Sequence, residues 1–175
     1  MYQQILKSDP NQPVALHLLG VIAHQGGDNE KAVDLITKAI NLKPDYAEAY
    51  CNLGISLKEL GQLEDAVSNY RTTLQIKPGY AEAHYNLGNV FRELGQPEEA
   101  IYNYREAIEI KFNYVEAHFN LGNLFRTLEQ LENAVDCYRK ALDIKPDYAE
   151  AHFNLGNVLR DLNRPDDAVF SYNKA

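Results

Sequence analysis

The chain has 175 residues, the length of one ordinary domain, and carries 25 acidic against 17 basic side chains for a formal charge of −8. That length buries a core without disulfide or metal staples, and that charge disfavours a nucleic-acid backbone or an anionic membrane surface, since both ligands need a basic face. No apolar run approaches 18 residues, and the opening MYQQILKSDP lacks the basic and apolar regions of a signal peptide, so the sequence predicts a cytoplasmic protein that neither spans nor targets a membrane.

A period of 34 residues organises the chain. Gly20, Gly54, Gly88, Gly122 and Gly156 keep that step, as do Leu19, Leu53, Leu87, Leu121 and Leu155, and Ala32, Ala66, Ala100, Ala134 and Ala168. Pro10, Pro44, Pro78 and Pro146 stand on one ladder of the same step, with Phe112 on the missing rung. In chain order, residues 1–10 match the end of a preceding unit, with Tyr2 at its aromatic position. Full units follow at 13–46, 47–80, 81–114 and 115–148, and an incomplete unit covers 149–175.

Within 81–114, His84, Leu87, Val90, Phe91 and Leu94 form one i, i+3, i+4, i+7 stripe. Ala100, Ile101, Tyr104, Ala107 and Ile108 form a second, beyond the breaker LGQ, so each unit is predicted to be a hairpin of two amphipathic helices. Asp45 to Glu48 and Asp147 to Glu150 have the spacing of capping boxes, Asn113 to Glu116 is a weaker version, and Gly79 replaces the cap residue in the remaining copy. Tyr46, Tyr80, Tyr114 and Tyr148 precede these starts as staples. Pro97 and Pro165 open second helices and are followed by acids, while Lys43, Lys77, Lys111 and Lys145 close them, as the helix dipole prefers.

This pattern resembles the tetratricopeptide repeat (TPR). With Ala47 as position 1, Tyr50, Leu53, Gly54, Leu57, Ala66, Tyr70, Thr73 and Pro78 occupy positions 4, 7, 8, 11, 20, 24, 27 and 32 of the family pattern. Departures are Thr73 for Ala, Phe112 for Pro, and His at position 4. The resemblance implies one all-α domain over 1–175, a right-handed α-solenoid of stacked antiparallel helix pairs, with close approach at Gly88 and Ala100. Neither end supplies a polar capping repeat, so the chain is expected to be a fragment of a longer protein. Leu6, Val169 and Tyr172 are expected to expose apolar surface and promote self-association through the ends.

At about 100° per residue, positions 2, 5, 6, 9, 12 and 13 of each first helix lie opposite its core stripe and face the implied groove. Asn52, Asn86, Asn120 and Asn154 then form a row at position 6, and Asn89, Asn123 and Asn157 a row at position 9. Tyr85, Phe119 and Phe153 stand at position 5, and Arg92, Arg126 and Arg160 at position 12. A carboxamide offers donor and acceptor to the backbone of an extended peptide, the aromatic rings offer apolar area, and arginine offers a fork for carboxylate or phosphate. The competing assignment has the position-6 asparagines bonding a neighbouring helix. Glu82, Glu116 and Glu150 are assigned to helix capping.

His84, His118 and His152 lie one repeat apart, on the order of 10 Å at usual helix separations, too far to share a metal, and are assigned to packing, as are His17 and His24. Cys51 and Cys137 belong to different repeats and are expected to be free thiols filling apolar sites. No phosphate loop, nucleophile elbow or metal motif occurs, so neither catalysis, cofactor nor metal is expected. The function expected is a scaffold for an extended polypeptide. ALHLLGVIAHQGGDNEKAVDLITKAI, AYCNLGISLKELG and AHYNLGNVFRELG also resemble the repeats of O-linked N-acetylglucosamine transferase-like proteins. In that family an asparagine ladder grips polypeptide substrates. The position-6 asparagines match it, and Leu18 breaks it in the first unit. The alternative is a stand-alone TPR adaptor. The chaperone-binding clamp wants basic residues where this chain has aromatics, Glu and Asn, and Cys51, Phe112 and Thr127 argue against a consensus design.

Overall fold

The computed structural model describes Ile5 and residues 9–175, so Tyr2, Leu6 and most of the expected preceding repeat lie outside the described residues. Among the residues from 9 onward, ten helices follow in order: α1 Pro13–Gln25, α2 Asn29–Leu42, α3 Ala47–Glu59, α4 Leu63–Ile76, α5 Ala81–Glu93, α6 Pro97–Ile110, α7 Val115–Thr127, α8 Leu131–Ile144, α9 Ala149–Asp161 and α10 Pro165–Tyr172. No strand occurs among the described residues, and none of their helices is long and apolar enough to cross a membrane. The chain is an all-α helical-repeat solenoid whose hairpins follow the 34-residue period. It divides into two compact units, up to Val90 and from Phe91.

In the first unit α1 packs on α2 and α3 on α4, and α2 stacks against α3. Tyr70 of α4 is fully buried, as are Ala32, Ile36 and Ala66. Its ring fits because α3 carries Gly54 opposite: a Cβ there would stand 2.7 Å from Tyr70 Cε1. Thr73, which replaces the usual alanine, is buried and donates its hydroxyl to the Asn69 carbonyl at 3.0 Å, a helical back-bond that satisfies the extra oxygen.

In the second unit the same joint recurs between Gly122 of α7 and Tyr138 of α8, and between Gly156 of α9 and Tyr172 of α10. α7 packs on α8 and α9 on α10, with α6 stacked against α7 and α8 against α9. Tyr172 is therefore half-buried rather than exposed, while Val169 and Phe170 on the same helix are 58% and 66% exposed. Gly54, Gly122 and Gly156 are required at position 8 because a tyrosine ring occupies the space a side chain would need.

Helix ends differ from the sequence reading at one place. Pro97 and Pro165 do open α6 and α10, followed by their acids. The expected capping boxes do not form. α3, α7 and α9 start at Ala47, Val115 and Ala149 with Tyr46, Tyr114 and Tyr148 at the cap position, and the cap side chains make no capping hydrogen bond. The register is one residue later than a box at Asp45, Asn113 or Asp147 requires. The tyrosines instead lie under the closing lysines: Lys43, Lys77, Lys111 and Lys145 hold their ammonium groups 4.7, 5.0, 4.4 and 4.8 Å from the ring centroids of Tyr46, Tyr80, Tyr114 and Tyr148. Each Lys-x-x-Tyr pair closes one repeat onto the next first helix.

Candidate functional site

Within the first unit, His17 of α1 lies between two neutral partners. Its Nδ1 is 2.8 Å from the Tyr46 hydroxyl, its Nε2 is 2.8 Å from Asn52 Nδ2, and its ring meets Tyr46 edge-on at 4.7 Å. Asn52 is thus held by the preceding repeat. The Glu48 carboxyl is kept below its usual range chiefly by its own backbone N–H and also by Lys77, whose Nζ is 3.4 Å away. Glu48 is an ion-pair partner rather than a cap.

One repeat on, Cys51 occupies position 5, 1% exposed, with its thiol pushed up to about 12 by burial. The half-buried Asn86 sits beside it. The buried Nδ2 of Asn86 finds no oxygen partner, and the neighbouring thiol is a weak acceptor. Tyr85 and Asn89 are half-buried on the same helix.

In the second unit the predicted residues converge. Asn123 Oδ1 accepts from the Tyr138 hydroxyl at 2.7 Å and from Asn154 Nδ2 at 2.9 Å, and Asn154 Oδ1 accepts from Arg126 Nη1 at 3.3 Å. Asn154, at position 6, is therefore fixed by the position-9 asparagine and position-12 arginine of the repeat before it. Asn157 Oδ1 accepts from the Tyr172 hydroxyl at 3.0 Å, repeating the link to the position-24 tyrosine. Asn52, Asn123, Asn154 and Asn157 bond side chains of neighbouring helices, and the Asn154 amide keeps hydrogen-bonding capacity beyond those bonds. Burial pushes the Tyr138 hydroxyl up to about 12, so it stays protonated and donating at neutral pH.

Phe119, half-buried, rests 4.8 Å from the Tyr148 ring and 5.9 Å from Tyr138, while Phe153 is 53% exposed and lies 6.0 Å from Tyr172. The two phenylalanines, Glu150, Ala149 and Asn154 line an open, mainly apolar cavity of about 490 Å3 with Ala175 at its edge. Asn120 is half-buried on α7. Arg160 gives Nε and Nη2 to Asp161 at 3.1 and 2.9 Å, and Arg92 is exposed. Sequence reasoning missed His17 and the position-24 tyrosines as partners of the asparagines. The signal was the recurrence of Asn at position 9 with Tyr at position 24 in three successive units.

Two histidines assigned to packing have a more specific role. His118 and His152 place Nε2 3.0 and 2.9 Å from the Phe112 and Pro146 carbonyls, tying each first helix to the turn before it. Cys51 and Cys137 are free thiols. No group of three or more potential metal ligands occurs among the described residues.

A family model described as TPR repeat matches residues 22–61, 56–95, 88–126 and 122–163. Among solved structures, MamA is 24% identical, with 89% of this chain and 91% of that one covered at a TM-score of 0.82. MamA from Desulfovibrio magneticus RS-1 is 22% identical, covering 93% and 92% at 0.82. YrrB, described as a TPR protein with an unusual peptide-binding site, is 20% identical, covering 99% and 89% at 0.77. These likenesses establish the fold. No curated protein sequence matches the chain.

Proposed function

Because the chain belongs to the tetratricopeptide repeat family, we propose that it is a protein-interaction scaffold that holds an extended polypeptide along the first-helix face of its repeats. The observation that carries this reading is the cavity between Phe119 and Phe153, with the Asn154 carboxamide on its wall. Asn123 and Arg126 fix that carboxamide before any ligand arrives, so little side-chain entropy is lost on binding. Its second N–H and remaining lone pair suit a peptide backbone, and the rings suit an apolar side chain. YrrB, with its peptide-binding site, lends the reading support by analogy of fold. The free thiols suit a reducing compartment, consistent with the cytoplasm. Exposed Val169 and Phe170 favour the self-association expected from the sequence.

A stand-alone adaptor satisfies every one of these observations. The link to a glycosyltransferase-like parent rests on the sequence resemblance of the first repeats and on the asparagine row. Phe153→Ala is the direct test of the scaffold. At 53% exposure its removal should leave the melting temperature within a degree or two of the parent's, by a rough surface-substitution rule. Binding of fluorescein-labelled, unstructured, acid-free peptides rich in apolar residues should weaken about tenfold, the loss expected when a ring no longer buries a peptide side chain. Phe112→Ala, at 78% exposure and outside the site, is the control. Equal anisotropy titrations for Phe153→Ala and the parent would overturn the reading.

A further inference from the structure

The three position-12 arginines are not equivalent. Arg126 donates to Asn154, and Arg160 is occupied by Asp161, whereas the Arg92 guanidinium makes no hydrogen bond or ion pair with any described residue. Arg92 borders a second cavity of about 420 Å3, enclosed by the α5–α6 turn at Gly95 and Pro97 and by Asn123, Leu124, Thr127 and Leu128 of α7. Because Asn123 Oδ1 already accepts two hydrogen bonds, the amide end left for a ligand is the donor Nδ2. The Thr127 hydroxyl is turned to the Asn123 carbonyl at 3.0 Å. No carboxylate is among the residues lining the cavity, although the chain as a whole carries a charge of −8.

A free guanidinium fork beside an amide donor is matched by an acceptor-only carboxylate, which takes parallel bonds from arginine. Leu124, Leu128 and the Pro97 ring supply apolar wall for a methylene stem and for one further side chain, and the volume lies in the range of sites that bury small ligands. We propose that this cavity takes an acidic residue and an adjacent apolar residue of the extended polypeptide held by the scaffold, the carboxylate on Arg92 and Asn123 and the apolar side chain on Leu124 and Leu128. The proposal rests on the scaffold reading and adds a sequence preference to it: a Glu-apolar pair.

The test is an NMR titration of the full chain, at fixed ionic strength, with N-acetyl-Glu-Leu-amide, N-acetyl-Gln-Leu-amide, sodium acetate and inorganic phosphate. The Glu probe should shift the Arg92 Nε–H and Asn123 Nδ2–H signals saturably and bind about tenfold more tightly than the Gln probe, a ratio fitting a charge-assisted bond. Arg92→Gln should abolish that preference and Arg92→Lys should retain part of it. Equal binding of the two dipeptides, or a preference that survives Arg92→Gln, would overturn the proposal. Acetate or phosphate binding as tightly as the Glu probe would overturn it too, since the site would then hold a simple anion. Failure here leaves the Phe153→Ala result with acid-free peptides untouched, so the preference and the scaffold are judged separately.

Discussion

His17 shows how a single side chain acquires a role that periodicity does not reveal. Asn52 Nδ2 can only donate, so His17 Nε2 accepts and Nδ1–H donates to the Tyr46 hydroxyl, a neutral imidazole. Burial lowers the His17 pKa from its ordinary value near 6.5, against the opposing pull of the Glu48 carboxylate. The folded chain thus takes up this proton less readily than the unfolded chain. The stabilisation is fully present above the unfolded pKa and is lost as pH falls from about 6.5 towards the lower folded value. His17→Phe, which places at position 5 the residue found at Phe119 and Phe153, should remove this part of the pH dependence. Urea midpoints measured across that window should fall more steeply for the parent than for His17→Phe, and parallel curves would contradict the assignment. A repeat alignment compares like positions, and this bond joins position 5 of one unit to position 6 of the next, so the sequence assigned His17 to packing and Asn52 to a ligand. The bond from Asn154 to Asn123, position 6 to position 9, was hidden for the same reason.

Among the helix hairpins, turns were read more faithfully than helix starts. The breaker LGQ marks position 15, where every hairpin adopts a left-handed backbone: Gly27, Gly61 and Gly95 have φ of 81°, 74° and 69°, and Glu129 and Asn163 have 57° and 58°. The next amide then bonds back across the helix end, as Gln130 N–H does to the Phe125 carbonyl at 2.9 Å. Asparagine tolerates this conformation, and glutamate does so at a cost of about 1 kcal/mol. Glu129→Gly should therefore raise unfolding stability by about 1 kcal/mol in a denaturant titration, less any entropy lost to the more flexible unfolded chain. A lower midpoint would contradict the turn geometry. Helix starts were harder to read because the Asp-x-x-Glu spacing fits a capping box, yet the Lys-x-x-Tyr contacts set the register one residue later. The Lys-x-x-Tyr spacing recurs every 34 residues as regularly as the Asp-x-x-Glu spacing, but a cation over a ring is not one of the helix-start signals that a capping search looks for.

Over the whole molecule, the fold was legible because one 34-residue pattern repeats its core residues: a glycine at position 8 recurs five times and a tyrosine at position 24 four times, and at Gly54 with Tyr70, Gly122 with Tyr138 and Gly156 with Tyr172 the two are faces of one close joint. The proposed face was marked in the sequence by the recurrence of side chains at positions 5, 6, 9 and 12. Its wiring was not, because it depends on how successive hairpins stack. The central claim is that this wired face of the second unit receives an extended polypeptide. Amide and side-chain NMR mapping with an unstructured, apolar-rich peptide tests it most directly. The account predicts saturable shifts at Phe119, Asn123, Phe153 and Asn154, with Arg139, Lys140 and Asp143 on the exposed side of α8 unchanged. Shifts confined to α8, or absent from the Asn123 and Asn154 carboxamides at saturating peptide, would contradict it.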